Sequence, residues 1–221
     1  GFTDDQIRRL CTLLEELGLA ENTIVVITGD HGEGLWQRGY QYHGAHIYEE
    51  AMRVPLLVRW PGRIPPGSDF RTPVTIAAIM PTLLDLVDAP AGDRTFHGRN
   101  LARALRSGEP LQGELPVFLY RIPYEPHDEF GVWVDGEKHG VRRGAWKYLV
   151  AEDEGTVELY DLSADPGETR NLAAERPGIA AELADVLTTW RETVTRPDSL
   201  SLRPELSDSD IQKLRSLGYV H

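Results

Sequence analysis

An α/β fold that closes on a small antiparallel sheet with a packing helix is predicted by three observations in this 221-residue chain. Residues 24–27, Ile-Val-Val-Ile, are continuously apolar and β-branched. Such runs mark strands buried on both faces, the habit of parallel strands covered by helices. The opening residues and residues 75–87 carry apolar side chains at helical spacing. After Asp93, short strand-like runs follow one another closely, separated by glycine or acidic turns, which is the pattern of an antiparallel sheet.

Each element has a local reason. Thr3-Asp4-Asp5-Gln6 has the form of a capping box, and Ile7, Leu10, Cys11, Leu14 and Leu17 then share one helical face until Gly18 stops the helix. On that face Cys11 reads as a small core residue. A second short strand spans residues 54–59, with Pro55 at its start or at a sheet edge. Residues 61–68, rich in Pro and Gly, form a loop. In residues 75–87, Ile76, Ile79, Met80, Leu83, Leu84 and Val87 repeat at helical spacing, and Pro81 opens the longer helical part. Strands are predicted at 116–120, 130–134, 139–142, 146–150 and 157–160. A helix at 177–190 puts Ile179, Leu183, Val186 and Leu187 on one face, and a short last helix covers 208–217. The organisation expected is an α/β portion at 1–112 and a smaller α+β subdomain at 113–221.

Composition narrows the function classes. At 41% hydrophobic content the chain can bury a sizeable core. No apolar run approaches the ~20 residues that cross a bilayer, so no membrane span is expected. The net charge of -12 argues against nucleic acid as a partner. For an anionic substrate, attraction would have to be local, from a metal and nearby Arg or His. A single cysteine excludes an internal disulfide and leaves the compartment undecided.

The chemistry centres on Thr28-Gly29-Asp30-His31-Gly32-Glu33. Active sites of open α/β sheets lie beyond the carboxyl ends of strands. Asp30 offers a hard oxygen there and His31 an imidazole nitrogen, while Gly29 and Gly32 let the backbone turn beside a ligand. Downstream come His43-Gly44, Tyr48-Glu49-Glu50, Arg53-Val54-Pro55-Leu56 and Arg59-Trp60-Pro61-Gly62. Further on stand Met80-Pro81-Thr82-Leu83-Leu84-Asp85-Leu86, Val141-Arg142-Arg143-Gly144-Ala145-Trp146-Lys147-Tyr148-Leu149, Glu158-Leu159-Tyr160-Asp161-Leu162-Ser163-Ala164-Asp165-Pro166-Gly167-Glu168, and Leu214-Arg215-Ser216-Leu217-Gly218-Tyr219. In this order the motifs resemble the sulfatases of the alkaline-phosphatase superfamily. The family's C/S-x-P/A-x-R motif, oxidised to formylglycine, has no counterpart: Cys11-Thr12-Leu13-Leu14-Glu15 departs from it. The chain is therefore expected to be the C-terminal portion of a sulfatase-like protein, with formylglycine not present in it.

The resemblance implies roles for individual residues. Asp30 and His31 would be metal ligands, for Ca²⁺ first or Mg²⁺ by the family pattern, with Mn²⁺ as the rival because imidazole suits transition ions. His43 would stand near the scissile ester and protonate the departing oxygen, with His46 as the competing candidate. Glu33 would hold a ligand or cap the turn, and Arg53 would pair with Glu49 or Glu50. Arg142 and Lys147 are expected on a solvated or salt-bridged strand face. His97, His127 and His139 are expected at the surface, His127 with a substrate-rim role as the alternative. The implied activity is sulfate-ester hydrolysis; a phosphonate or phosphate-ester hydrolase is the alternative, and a non-catalytic fragment is the third reading. The implied partners are an anionic sulfate ester, the N-terminal half of the same protein, and a second copy meeting an exposed strand edge. The chain alone is expected to be inactive.

Overall fold

The computed structural model describes residues 1–39, 41–122 and 136–194, with 209, 212 and 213. Gly1–Leu187 form one compact unit and Thr188–His221 a second. Helix α1 runs Phe2–Glu16. It begins one residue before the expected cap, with Gly1 at the N-cap and no side-chain capping bond, because Gln6 instead accepts from Arg9 (2.8 Å). None of its residues is buried; Ile7, Cys11 and Leu14 are half-covered, while Leu10 and Leu17 are exposed. The core role read for Cys11 is thus met only in part.

Strand β1, Val25–Thr28, pairs antiparallel with β4, Leu56–Arg59, in the register Val25↔Arg59 to Thr28↔Leu56. The run is only partly covered, with Ile24–Ile27 half-buried and Thr28 exposed, so full burial on both faces is not met. Since an apolar run says nothing of strand direction, the parallel pairing suggested by its composition is not what forms here. Pro55 lies immediately before β4, where its missing N–H costs the ladder nothing. A two-residue hairpin, β2 (Gly34–Leu35) and β3 (Gln41–Tyr42), stands between them, followed by the single-turn helix α2, Glu49–Met52.

A 3₁₀ turn at Ile76–Ala78 leads into α3, Ile79–Leu86, with Pro81 in its first turn. Next comes α4, Ala102–Ser107, closed by Gly108 at φ 72°. Thr82 joins these helices: its hydroxyl donates to the Ala78 carbonyl (2.6 Å) and accepts from the Leu101 amide (2.9 Å). Ala78, Leu86, Leu101, Ala102 and Leu105 form the core here, with Ile24, Leu56 and Val58 packed against it.

The remainder is a four-stranded antiparallel sheet in the order β5 (Val117–Arg121), β6 (Lys138–Arg143), β7 (Trp146–Ala151), β8 (Thr156–Asp161). Helix α5, Pro177–Thr193, follows it and buries Leu183 and Leu187. In the second unit the end of α5 closes with the Thr193 hydroxyl donating to the Trp190 carbonyl (2.8 Å). The strand read at 130–134 and His127 lie outside the described residues, as does nearly all of the helix read at 208–217. Among the described residues no helix is long and apolar enough to cross a membrane.

Candidate active site

The loop after β1 can turn as it does because two of its residues lack side chains. A Cβ on Gly29 would stand 3.1 Å from the His31 carbonyl oxygen. One on Gly32 would run into the Glu50 carbonyl oxygen, because α2 lies directly against this loop. Gly32 N–H donates to the Ala51 carbonyl (2.7 Å) and Glu33 N–H to the Glu50 carbonyl (2.9 Å).

Asp30 and His31 come off this turn together. The His31 amide donates to Asp30 Oδ1 (3.0 Å), and His31 Nδ1 lies 2.7 Å from the Gly32 carbonyl. A carbonyl only accepts, so Nδ1 carries a proton, and the lone pair of the neutral ring is the one on Nε2. That Nε2 is 3.7 Å from Asp30 Oδ1. Asp30 is open to solvent and His31 half-buried.

The hairpin brings the next group in. Gly34 pairs with Tyr42, so Glu33, just before β2, and His43, just after β3, meet across the ladder. His43 Nδ1 lies 3.4 Å from both Glu33 carboxylate oxygens, and its ring stacks on His31 with centroids 3.8 Å apart. Ligand atoms of His31, Glu33 and His43 all lie within 4.8 Å of one another. The structure thus gathers Asp30, His31 and His43 in one patch and adds Glu33.

His46 is elsewhere. It is 2% exposed, its Nδ1 accepts from the Tyr48 amide (3.4 Å), and its Nε2 stands 3.5 Å from Glu50 Oε1. Burial, reinforced by Lys147, Arg38, Lys138 and Arg121, lowers its pKa from 6.5 to about 4. Those effects outweigh the nearby Glu50 carboxylate, so His46 is neutral at pH 7.

Behind the histidine segment stands the four-stranded sheet, and here several residues differ from expectation. Lys147 is salt-bridged, one of the two readings, but it is fully buried rather than on an open strand face: its Nζ meets Glu49 (3.0 Å) and Glu168 (2.8 Å). Arg142 also pairs with Glu49 (2.8 Å), so Glu49 is held by the sheet rather than by the exposed Arg53. His139 is buried, with Tyr120 against its ring at 4.8 Å, whereas His97 is exposed as read. Tyr48 and Tyr160 both donate hydroxyls to Glu158 (2.8 and 2.6 Å), which also meets Lys138 (2.5 Å). Burial works against the Glu158 charge, but Lys138 and the two hydroxyls together hold its pKa below the usual carboxylate value. Arg38, from the hairpin loop, lies 4.2 Å over the Tyr48 ring and donates to the Gly167 carbonyl (2.7 Å). Nothing in the sequence pattern marks Arg38, Lys138 or Glu158, because most of their partners come from distant segments.

Comparison with known proteins places this geometry in context. The Sulfatase family model matches residues 1–89. Arylsulfatase K of Bos taurus is 32% identical over 183 residues, covering 82% of this chain and 33% of that protein. Steryl-sulfatase of Mus musculus is 30% identical over 230 residues, covering 90% of this chain and 36% of that protein. The chain spans about a third of the length of these curated relatives. Among solved structures, BT4656 in complex with its substrate D-glucosamine-2-N,6-O-disulfate superposes with a TM-score of 0.70 at 27% identity, covering 86% of this chain and 38% of that one. The phosphonate monoester hydrolase SpPMH from Silicibacter pomeroyi gives a TM-score of 0.69 at 27% identity, covering 93% and 41%.

Proposed function

We propose that this chain, which belongs to the sulfatase family, contributes to a sulfate-ester hydrolase in which Asp30 and His31 hold a divalent cation and His43 protonates the departing oxygen. The observation that carries this reading is the shared patch at the end of β1: His43 stacked on His31 at 3.8 Å, with Asp30 beside His31 at 3.7 Å. The donor set fits a cation. Asp30 supplies a solvent-facing carboxylate, and the Nδ1 bond to Gly32 aims the Nε2 lone pair of His31 outward. Ca²⁺, Mg²⁺ and Mn²⁺ all accept the oxygen, and the imidazole nitrogen draws the balance towards Mn²⁺. Bound there, the cation would offset negative charge on the ester oxygens.

The other steps belong to the side chains. Imidazole suits proton transfer near neutral pH, and His43 is half open to solvent, where a leaving group could be reached. Glu33 faces His43 Nδ1 and orients the ring so that Nε2 is the atom available to the ester. His46, buried and neutral, supports the segment and does not meet substrate. The nucleophile in this reading is a formylglycine from outside these residues, since Cys11 sits within α1.

Calorimetry of the chain with Mn²⁺ and Ca²⁺ tests the metal assignment. Asp30→Ala should weaken binding at least about tenfold, the lower bound for groups that merely support a ligand. Unchanged affinity would remove Asp30 from the site. The similarity to a phosphonate monoester hydrolase supports a second reading, phosphorus-ester hydrolysis. Paired aryl sulfate and aryl phosphonate esters, offered to the full-length protein, separate the two: preference for the phosphonate overturns the first.

A further inference from the structure

We infer that Lys147 and Glu168 are positioning residues, forming a buried ionic clamp that sets α2 and thereby the spacing between the Asp30–His31 turn and His43. The inference rests on the proposed role of His43 for its functional meaning. Its geometry stands independently.

The clamp joins three distant motifs. Lys147 on β7 is 0% exposed and Glu168, in the loop after β8, is 2% exposed. Lys147 Nζ lies 3.0 Å from Glu49 Oε1 and 2.8 Å from Glu168 Oε1, while Arg142 Nη1 takes Glu49 Oε2 at 2.8 Å. Two carboxylates and two cations balance. Glu168 Oε2 then accepts from the Glu49 amide at 2.7 Å, across 119 residues of sequence. α2 has no cap of its own, and this bond satisfies its first amide.

Glu168 is built to stay in place. Its φ is +53°, the left-handed region that side chains other than glycine seldom adopt. Bonds from Thr169 and Arg170 to the Asp165 carboxylate (3.0 and 2.9 Å), and from Arg38 to the Gly167 carbonyl, pin the loop around it. Strained residues that persist in well-determined surroundings concentrate where placement matters. Apolar side chains could fill the same volume without the desolvation cost of burying the Lys147 and Glu168 charges. Placement, rather than stability, is what the ionic arrangement supplies.

What it places is α2, and α2 is the frame of both halves of the site. From one side its Glu50 and Ala51 carbonyls receive the amides of Glu33 and Gly32, fixing the turn that carries Asp30 and His31. From the other side it continues directly from the histidine segment. There Arg121 Nη1 holds the Ala45 carbonyl (3.1 Å), Ile47 is in the core, and Tyr48 is bonded to Glu158. A shift of Glu49 therefore moves the metal turn and His43 relative to each other.

Amide hydrogen exchange on the whole chain reads this directly. Glu168→Ala should raise exchange across residues 29–34 and 45–52 by about 10- to 100-fold, the range for losing a hydrogen bond to a charged group. Amides of the β6–β7 ladder, such as Val141 and Leu149, should keep their protection. Glu168→Gln, nearly isosteric and retaining an oxygen for the Glu49 amide, should give a smaller rise confined to the same residues. Protection lost equally along β6 and β7 in both variants would make the clamp a general stabiliser and overturn the inference. So would unchanged exchange at 29–34. Because exchange does not depend on turnover, a local rise in a protein lacking ester hydrolysis would count against the proposed function and leave the clamp intact.

Discussion

Replacing Gly32 by alanine should uncouple the metal turn from α2. A Cβ at this position would overlap the Glu50 carbonyl oxygen and stand 3.0 Å from the Glu50 carbonyl carbon and 3.3 Å from that of Ala51. All three are backbone atoms, which have no rotamer to move to. The turn must retreat, and the two bonds that join it to α2, at 2.7 and 2.9 Å, are stretched or lost. Each is worth about 1 kcal/mol, and leaving buried partners unsatisfied adds more. A loss of roughly 2–4 kcal/mol follows, at the upper end for a single substitution. Urea unfolding followed by linear extrapolation measures it. Gly178→Ala is the control: Gly178 lies in α5 with nothing within 4 Å of an added Cβ, so alanine should stabilise by up to about 1 kcal/mol. Gly32→Ala unfolding within about 0.5 kcal/mol of the parent would refute the contact between turn and helix.

His46 gives a pH test. Its folded pKa, about 4, lies below its unfolded value of 6.5, so the unfolded state binds the proton first as pH falls. Its contribution is complete above pH 6.5 and is lost as pH falls towards 4, amounting to on the order of 3 kcal/mol. His46→Gln should flatten the slope of unfolding free energy over that window; an unchanged slope would mean that His46 is not buried as described. Tyr48→Phe removes one hydroxyl from Glu158 but leaves Tyr160 and Lys138 in place. It should cost about 1–2 kcal/mol in thermal or urea unfolding, and a cost near zero would show that water replaces the bond.

Much of this was legible in the sequence because local chemistry decided it. β6, β7 and β8 fall within a residue or two of their predicted bounds, since short strand-like runs cut by the turns at Gly144 and Gly155 leave little choice. Leu183 and Leu187 on α5 followed from helical period alone. The Asp30–His31 turn announced itself by glycines on both sides of a polar pair. What failed depended on distant partners. The partner of β1 is chosen by topology, which an apolar run does not encode. The salt bridge of Lys147 was within the reading, but its full burial was not, because Glu49 and Glu168 arrive from 98 and 21 residues away to neutralise it. α2, a single turn, lacks the length to show a period, and its cap comes from Glu168.

The charged residues of the four-stranded sheet also act as a proofreading device for strand alignment. Arg121 on β5, Lys138 and Arg142 on β6, Lys147 on β7 and Glu158 on β8 each find an opposite charge in the folded chain. Side chains alternate between the faces of a strand, so sliding β7 by one residue would exchange Lys147 for Trp146 or Tyr148. Glu49 would then keep only Arg142, and Glu168 would lose its lysine. A misaligned sheet would thus announce its error as a buried, uncompensated carboxylate, a penalty that apolar residues at the same positions could not impose.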